Sequence, residues 1–313
     1  MEITLSTLGQ LLNIALFASS LRMATPVLYA TLGGIFCSEC GVLNVGLEGL
    51  MLIGSFFAIV GSVFLSSAWG GLLVAVLACL LLSLAFAAVH LDLGADEMIV
   101  GLAINLLGYG LTTYLLLLIF DVVGYYSSPD IVGFELIRIP LLDNIPVIGP
   151  IVSGHFALVY LGFVAVAVVY VLLYKTPWGF RLRSVGENPE AAEAVGINLR
   201  RMRYAGVLLG GVFCGFAGAF LSLAHLNLFS ENMTAGRGFL ALAAVNFGDR
   251  KPLKCLAAAL IFGVADALAI RLQRFGLPSQ VVLMLPYVAT VVILALSSIQ
   301  RMRAQRARES ARG

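Results

Sequence analysis

Residues 71–89 of this chain, GLLVAVLACLLLSLAFAAV, contain no charged side chain. A run of this kind suits the hydrocarbon core of a bilayer, which about 20 apolar residues cross as a helix. Inside that core no water can satisfy a backbone N–H or C=O, so the chain must satisfy them itself. The run has companions at 48–65, 98–120, 156–174, 204–226, 253–269 and 281–296, weaker ones at 5–21 and 23–36, and a short apolar piece at 239–247. Gly9, Gln10 and Asn13 interrupt the first weak stretch, and Pro26 and Gly33-Gly34 lie in the second. Only 12% of the chain is charged, half the share of about 25% usual in soluble domains. These features predict an all-α, polytopic transmembrane helix bundle. It is one domain over 1–313, with about ten crossings, two or three of them broken or re-entrant.

The net charge of +2 says little; its distribution says more. Residues 175–203 carry Lys175, Arg181, Arg183, Arg200, Arg201 and Arg203, and the tail 297–313 carries Arg301, Arg303, Arg306, Arg308 and Arg312. Basic residues flanking spans stay in the cytoplasm, so both segments and both termini are expected there, with 121–154 outside. An even number of crossings must join the loop to the tail, which makes 239–247 a crossing in its own right, as a half-helix. Arg271 and Arg274 fall outside and run against the rule. Glu2 and the absence of a basic leader argue against a signal peptide.

Within the basic loop, Asn188-Pro189-Glu190-Ala191-Ala192-Glu193-Ala194-Val195-Gly196 reads as a short complete helix. Asn188 is a helix-capping residue, and proline suits the first helical position. Glu190 and Glu193 favour the positive helix start, and Gly196 can adopt the left-handed conformation that ends a helix. A solvated connector needs none of this.

Three further strings stand out. In Gly41-Val42-Leu43-Asn44-Val45-Gly46-Leu47-Glu48-Gly49-Leu50-Met51, the glycines disfavour a continuous helix. Asn44 and Glu48, four apart, share a face if it is helical. The segment is either a turn beside a water-filled path or a cytoplasmic turn with Glu48 at a helix start. Asn105, inside the 98–120 span, needs partners, either a neighbouring helix or a passing ligand, and Tyr109 lies on its face; Asp96 and Glu97 read as cap and first-turn acids. Gly236-Arg237-Gly238-Phe239-Leu240-Ala241-Leu242-Ala243-Ala244-Val245-Asn246-Phe247-Gly248 is rich in small residues that permit close helix contact. Asp266, in the 253–269 span, is a candidate to face the bundle interior. His225 reads as an interface residue. Cys37 and Cys40 form a C-x-x-C with no second pair or histidine cluster to complete a metal site, and read as small packing residues.

The loop string Glu190-Ala191-Ala192-x-x-x-Gly196, and the longer Gly186–Ile197, resemble the cytoplasmic coupling motif of importer permeases of the ATP-binding-cassette (ABC) class. They are most similar to those of the branched-chain amino-acid and sugar permease superfamily, nucleoside type. The Gly41–Met51 string matches that type without a gap. The Gly236–Gly248 string matches except at Asn246, where an apolar residue is usual, and 249–252 lacks the aromatic often found before Pro252. The resemblance implies that Asn188, Pro189, Glu190, Ala191, Ala192 and Gly196 dock on an ATP-binding subunit. It also implies a second homologous permease subunit and an extracytoplasmic binding protein, in a bacterial cytoplasmic membrane. The cargo expected is a nucleoside or similar heterocycle; riboflavin, sugars and branched-chain amino acids are alternatives carried by related permeases. Asn44, Glu48, Asn105, Tyr109 and Asn246 are the residues expected along the substrate path.

No G-x-x-x-x-G-K-[ST] loop is present, so ATP and Mg²⁺ are expected on a partner chain and this chain is not expected to be an enzyme. H-E-x-x-H and G-x-S-x-G strings are likewise missing. The basic clusters adjoin spans and lack nucleic-acid motifs, so membrane lipid rather than nucleic acid is the expected contact. An ion-coupled secondary transporter remains the rival class; only Glu48 and Asp266 could couple an ion, and no internal repeat is visible.

Overall fold

The structure, a computed structural model, describes residues 14–138 and 153–273. In chain order these form α1 (Ile14–Glu39), α2 (Leu47–Leu65), α3 (Ala68–Ala87, prolonged by a π-helical turn Ala88–Asp92) and α4 (Glu97–Phe120). Short strands β1 (Tyr125–Tyr126), β2 (Leu136–Ile137) and β3 (His155–Phe156) follow, then α5 (Ala157–Lys175), α6 (Pro177–Glu187) and α7 (Pro189–Ala194). The remainder is α8 (Leu199–Ala219, prolonged by π-helical turns Phe220–Leu226), β4 (Phe229–Ser230), α9 (Arg237–Phe247) and α10 (Pro252–Gln273). Among the described residues, six helices are long and apolar enough to cross a membrane: Leu47–Leu65, Ala68–Asp92, Glu97–Phe120, Ala157–Lys175, Leu199–Leu226 and Pro252–Gln273.

The first part of the chain departs from the sequence expectation. A single helix, α1, covers ground read as two segments, and it runs through Pro26 and Gly33-Gly34. Proline removes one helical hydrogen bond and is tolerated where tertiary contacts hold the helix on both sides of it. Here α1 packs along α8, α9 and α10. Its buried hydroxyls bond back to the helix itself: Ser20 Oγ donates to Leu16 O at 2.8 Å, Thr25 Oγ1 to Leu21 O at 2.7 Å and Thr31 Oγ1 to Val27 O at 2.6 Å. The 281–296 span, the 297–313 tail, Arg274 and the placement of both termini lie outside the described residues.

Two ends of the bundle separate cleanly. At one, Gly41 abuts Gly186 of α6, Leu43 N donates to Glu97 Oε2 at 2.8 Å, and Arg200 meets Asp92 at 2.8 Å. Lys175, Arg181, Arg183, Arg200, Arg201, Arg203, Arg250, Lys251 and Lys254 gather here. At the other, β1 pairs with β4 and β2 with β3, both antiparallel. Ser62 Oγ donates to Val132 O at 2.8 Å, and the Trp69 and Phe134 rings meet edge to face at 5.0 Å. This end ties the described parts of 121–154 to the stretch after α8, and Phe134 N donates to Leu223 O at 2.9 Å.

Between these ends, residues 227–247 make a broken pass. The chain leaves β4 without helix, reaches Glu48 at Gly236, and only then winds into α9. That helix has 11 residues, about 16 Å of rise against a hydrocarbon core of about 30 Å. It covers the short apolar piece read at 239–247.

Helices come closest where side chains vanish. A Cβ on Gly49 of α2 would lie 2.5 Å from Ile104 O and 2.7 Å from Asn105 Cα on α4, whereas one on Gly110 would meet nothing within 4 Å. We predict that Gly49→Ala lowers the stability of the purified protein by about 1–3 kcal/mol, the usual cost of overpacking. Gly110→Ala should melt with the wild type. Equal melting temperatures for both variants would show that this contact yields freely.

Candidate functional site

The loop that joins α5 to α8 folds as a chain of capped helices. Thr176 Oγ1 accepts from Gly179 N at 3.2 Å and starts α6. Asn188 ends α6 and starts α7, its Oδ1 accepting from Ala191 N at 3.0 Å, with Pro189 in the first helical position. Gly196 at φ +83 closes α7: Gly196 N donates to Glu193 O at 2.9 Å and Ile197 N to Ala192 O at 3.0 Å. Asn198 Oδ1 then accepts from Arg201 N at 2.9 Å and opens α8. Every cap read from the sequence is in place.

Of α7, only Ala192 is buried. Glu190, Ala191, Glu193, Ala194 and Val195 face solvent, Val195 at 75% exposure. The rod is held by its own caps and leaves Val195 exposed just beyond its last helical residue. The sequence did not distinguish α6, which turns Leu182 and Val185 inward and presents Phe180 outward. Its Arg183 guanidinium lies 4.5 Å from the Tyr174 ring centroid and 5.0 Å from that of Phe180, and Nε donates to Leu173 O at 3.2 Å. A groove of about 400 Å³ opens beside it, lined by Phe180, Arg181, Arg183, Ser184, Glu187 and Ile197. The amphipathic spacing of Gly179, Leu182 and Val185 is the signal that could have revealed α6.

The second group lies inside the bundle. Glu48 is fully buried in the first turn of α2. Its Oε1 accepts from Gly236 N at 2.7 Å and its Oε2 from Gly238 N at 2.6 Å. These are among the free N–H groups at the start of α9, where a helix carries partial positive charge. Asn105 Oδ1 accepts from Gly49 N at 2.7 Å, and its Nδ2 donates to Val45 O at 3.1 Å. Asn44 Oδ1 accepts from Gly46 N at 2.9 Å. The structure therefore gathers Asn44, Glu48 and Asn105 around the turn 44–49, each bonded to backbone. Tyr109 is half-buried one turn along α4, and Asn246 is exposed near the far end of α9, away from this group.

Cys37 and Cys40 are buried and free, with their sulfurs against Gly210 and Gly206 of α8. Burial pushes the Cys40 thiol well above its ordinary range, so it packs rather than reacts. Sequence reasoning missed a contact at the start of α9, where Arg237 Nε lies 3.8 Å from Asp266 Oδ2 of α10.

A hydrogen bond to a charged acceptor contributes about 1.5–3 kcal/mol, and an orphaned buried donor costs about 1–3 kcal/mol. We predict that Glu48→Ala, which orphans two N–H groups, lowers the melting temperature of the purified protein by more than Asn44→Ala does. Glu48→Gln, which turns an amide donor toward one of those N–H groups, should recover only part of the loss. A Glu48→Ala protein that melts with the wild type would deny the carboxylate its holding role.

Comparison with known proteins agrees with this geometry. Residues 16–296 match the family described as branched-chain amino acid transport system / permease component. The chain is 38% identical over 298 residues to the guanosine ABC transporter permease protein NupQ of Bacillus subtilis, covering 91% of this chain and 92% of that one. It is 36% identical over 290 residues to the nucleoside ABC transporter permease protein NupC of Lactococcus lactis, covering 89% and 90%. A solved structure described as a metal-chelate type ABC transporter in an inward-facing conformation shares the fold, with a TM-score of 0.53 at 13% identity over 94% of this chain and 90% of that chain. A multi-pass helical bundle with a self-capped loop helix, matched from residue 16 to residue 296, belongs to the branched-chain amino-acid transport permease family.

Proposed function

We propose that this chain is the membrane-spanning permease subunit of an ABC importer that carries nucleosides or similar heterocycles across a bacterial cytoplasmic membrane. The observation that carries this reading is the likeness to NupQ and NupC over about nine-tenths of the chain. The exposed, self-capped α7 gives that likeness a mechanical counterpart.

In this reading an ATP-binding subunit holds ATP and Mg²⁺ and grips α7, with Asn188, Pro189 and Gly196 fixing its ends and Glu190, Ala191 and Ala192 forming its body. A second, homologous permease completes the path, and an extracytoplasmic binding protein delivers cargo. A nucleotide-dependent change in the grip on α7 shifts the population between inward- and outward-open arrangements. Asn44, Glu48 and Asn105 serve the path by holding the 44–49 turn and the start of α9 at its margin. Tyr109, on the face of Asn105, offers a ring on which a base can stack, and Asn246 offers an amide nearer the loop end.

The merging of two expected segments into α1 lowers the proposed count of crossings from about ten to nine, with 281–296 as the ninth. The basic end of the bundle is cytoplasmic in this topology, as is the tail.

Two measurements test the reading. In the reconstituted complex, Gly196→Val forces a β-branched residue to φ +83, a region disfavoured by about 1–2 kcal/mol for a side chain. Substrate-stimulated ATP hydrolysis and nucleoside uptake should fall several-fold while membrane insertion survives; wild-type stimulation would sink the coupling role. In a cysteine-free background, a membrane-impermeant thiol reagent applied outside should label a cysteine at position 135 and spare one at 190. The reverse pattern would invert the topology.

A further inference from the structure

Ionisable side chains at membrane depth are costly and pair closely with one another or with backbone. One set in this bundle is only partly paired among the described residues. Arg237 opens α9, and its Nη1 donates to Met233 O at 3.2 Å and Thr234 O at 3.3 Å, closing the turn before the helix. Its Nε is buried and makes no hydrogen bond to any described residue; it stands 3.8 Å from Asp266 Oδ2, too far for one. Asp266 accepts no hydrogen bond from any described residue. Thr234 Oγ1, fully buried, has no partner either. Arg22 and His225 lie within electrostatic range of this set, and Arg22 Nη2 makes one long bond to Ser19 Oγ at 3.5 Å.

The depth is that of a transport path. Asp266 is fourteen residues beyond Pro252 at the basic end, about 21 Å along α10. Arg237 stands where the non-helical stretch meets the half-helix, and such backbone is tolerated only inside protein or beside a water-filled cavity. The Arg237 and Asp266 side chains keep 21% and 14% exposure, so neither is sealed. Among the described residues the pair is short of partners on both the donor and the acceptor side.

We propose that Arg237 and Asp266 form a substrate contact that reads the lactam edge of a nucleobase, a carbonyl oxygen beside a ring N–H. The inference rests on the nucleoside reading above and adds which edge of the base is met. A guanidinium donates to the carbonyl oxygen of that edge, O6 of a 6-oxopurine or O4 of uracil, and is mismatched to the amino donor that adenine or cytosine places there. The neighbouring carboxylate accepts the ring N–H. Uridine presents the same edge as inosine, whereas adenosine and cytidine present an amino group in its place. The rival is a latch in which the pair only ties α9 to α10. A latch treats all cargo alike.

The test uses the complete importer, with its ATP-binding subunit, partner permease and binding protein, reconstituted in lipid vesicles. Initial uptake of inosine against adenosine, and of uridine against cytidine, is measured per assembled complex for wild type, Arg237→Lys and Asp266→Asn. Arg237→Lys keeps the charge but loses the forked donor, and Asp266→Asn keeps the shape. Both variants should lower uptake of the lactam member of a pair by about tenfold, the scale of one lost base-reading contact, and leave the amino member within about twofold of wild type. Equal losses in both members, or none in either, overturn the inference and leave the pair a latch. A wild-type complex that carries no nucleoside overturns the nucleoside reading itself, and this inference with it.

Discussion

A half-helix that begins inside a bilayer starts with N–H groups that nothing in the lipid can receive. In this protein Glu48 receives two of them, one on each carboxylate oxygen, from Gly236 and Gly238. The arrangement works in both directions. The N-terminus of α9 supplies the positive charge that makes a fully buried carboxylate tolerable, and the carboxylate supplies the acceptors that let α9 begin there. The close approach needs a glycine, since a Cβ at Gly238 would meet Glu48 backbone. Much of the bundle follows from this contact: α9 lies on α1, its end turns into α10, and α10 returns along α1.

The turn that carries Glu48 is also the piece nearest the loop helices. Gly41 abuts Gly186 at the end of α6, Leu43 N is held by Glu97, and Glu48 follows a few residues later. Asn44 and Asn105 hold the intervening backbone. A close backbone approach and a set of side-chain-to-backbone hydrogen bonds therefore lie between α6 and the start of α9.

Legibility in the sequence followed the range of the interactions. The caps of α7 involve residues within a few positions of one another, so Asn188, Pro189 and Gly196 announced them. Asp96 announced the start of α4 in the same way, and its Oδ1 accepts from Met98 N and Ile99 N. The short apolar piece at 239–247 was visible as a run of apolar residues and forms part of α9. Helix α6 passed unseen because basic residues masked its narrow apolar face. The break expected between 21 and 23 did not occur, because the burial of α1 against its neighbours overrode the local signal of Pro26.

The sequence by itself determined that this chain spans a membrane, which loop is self-capped, and that Glu48, Asn44 and Asn105 need partners, because apolar length, local caps and the cost of buried polar groups are properties of short stretches. Which partners they take was decided only by tertiary structure. Glu48 bonds to residues 188 and 190 positions away and Asn105 to residues 56 and 60 positions away. Arg237 and Asp266 meet across two helices. No periodicity relates such residues. Their meeting depends on how close the helices come, and small residues at positions such as Gly49, Gly108 and Gly238 set that distance.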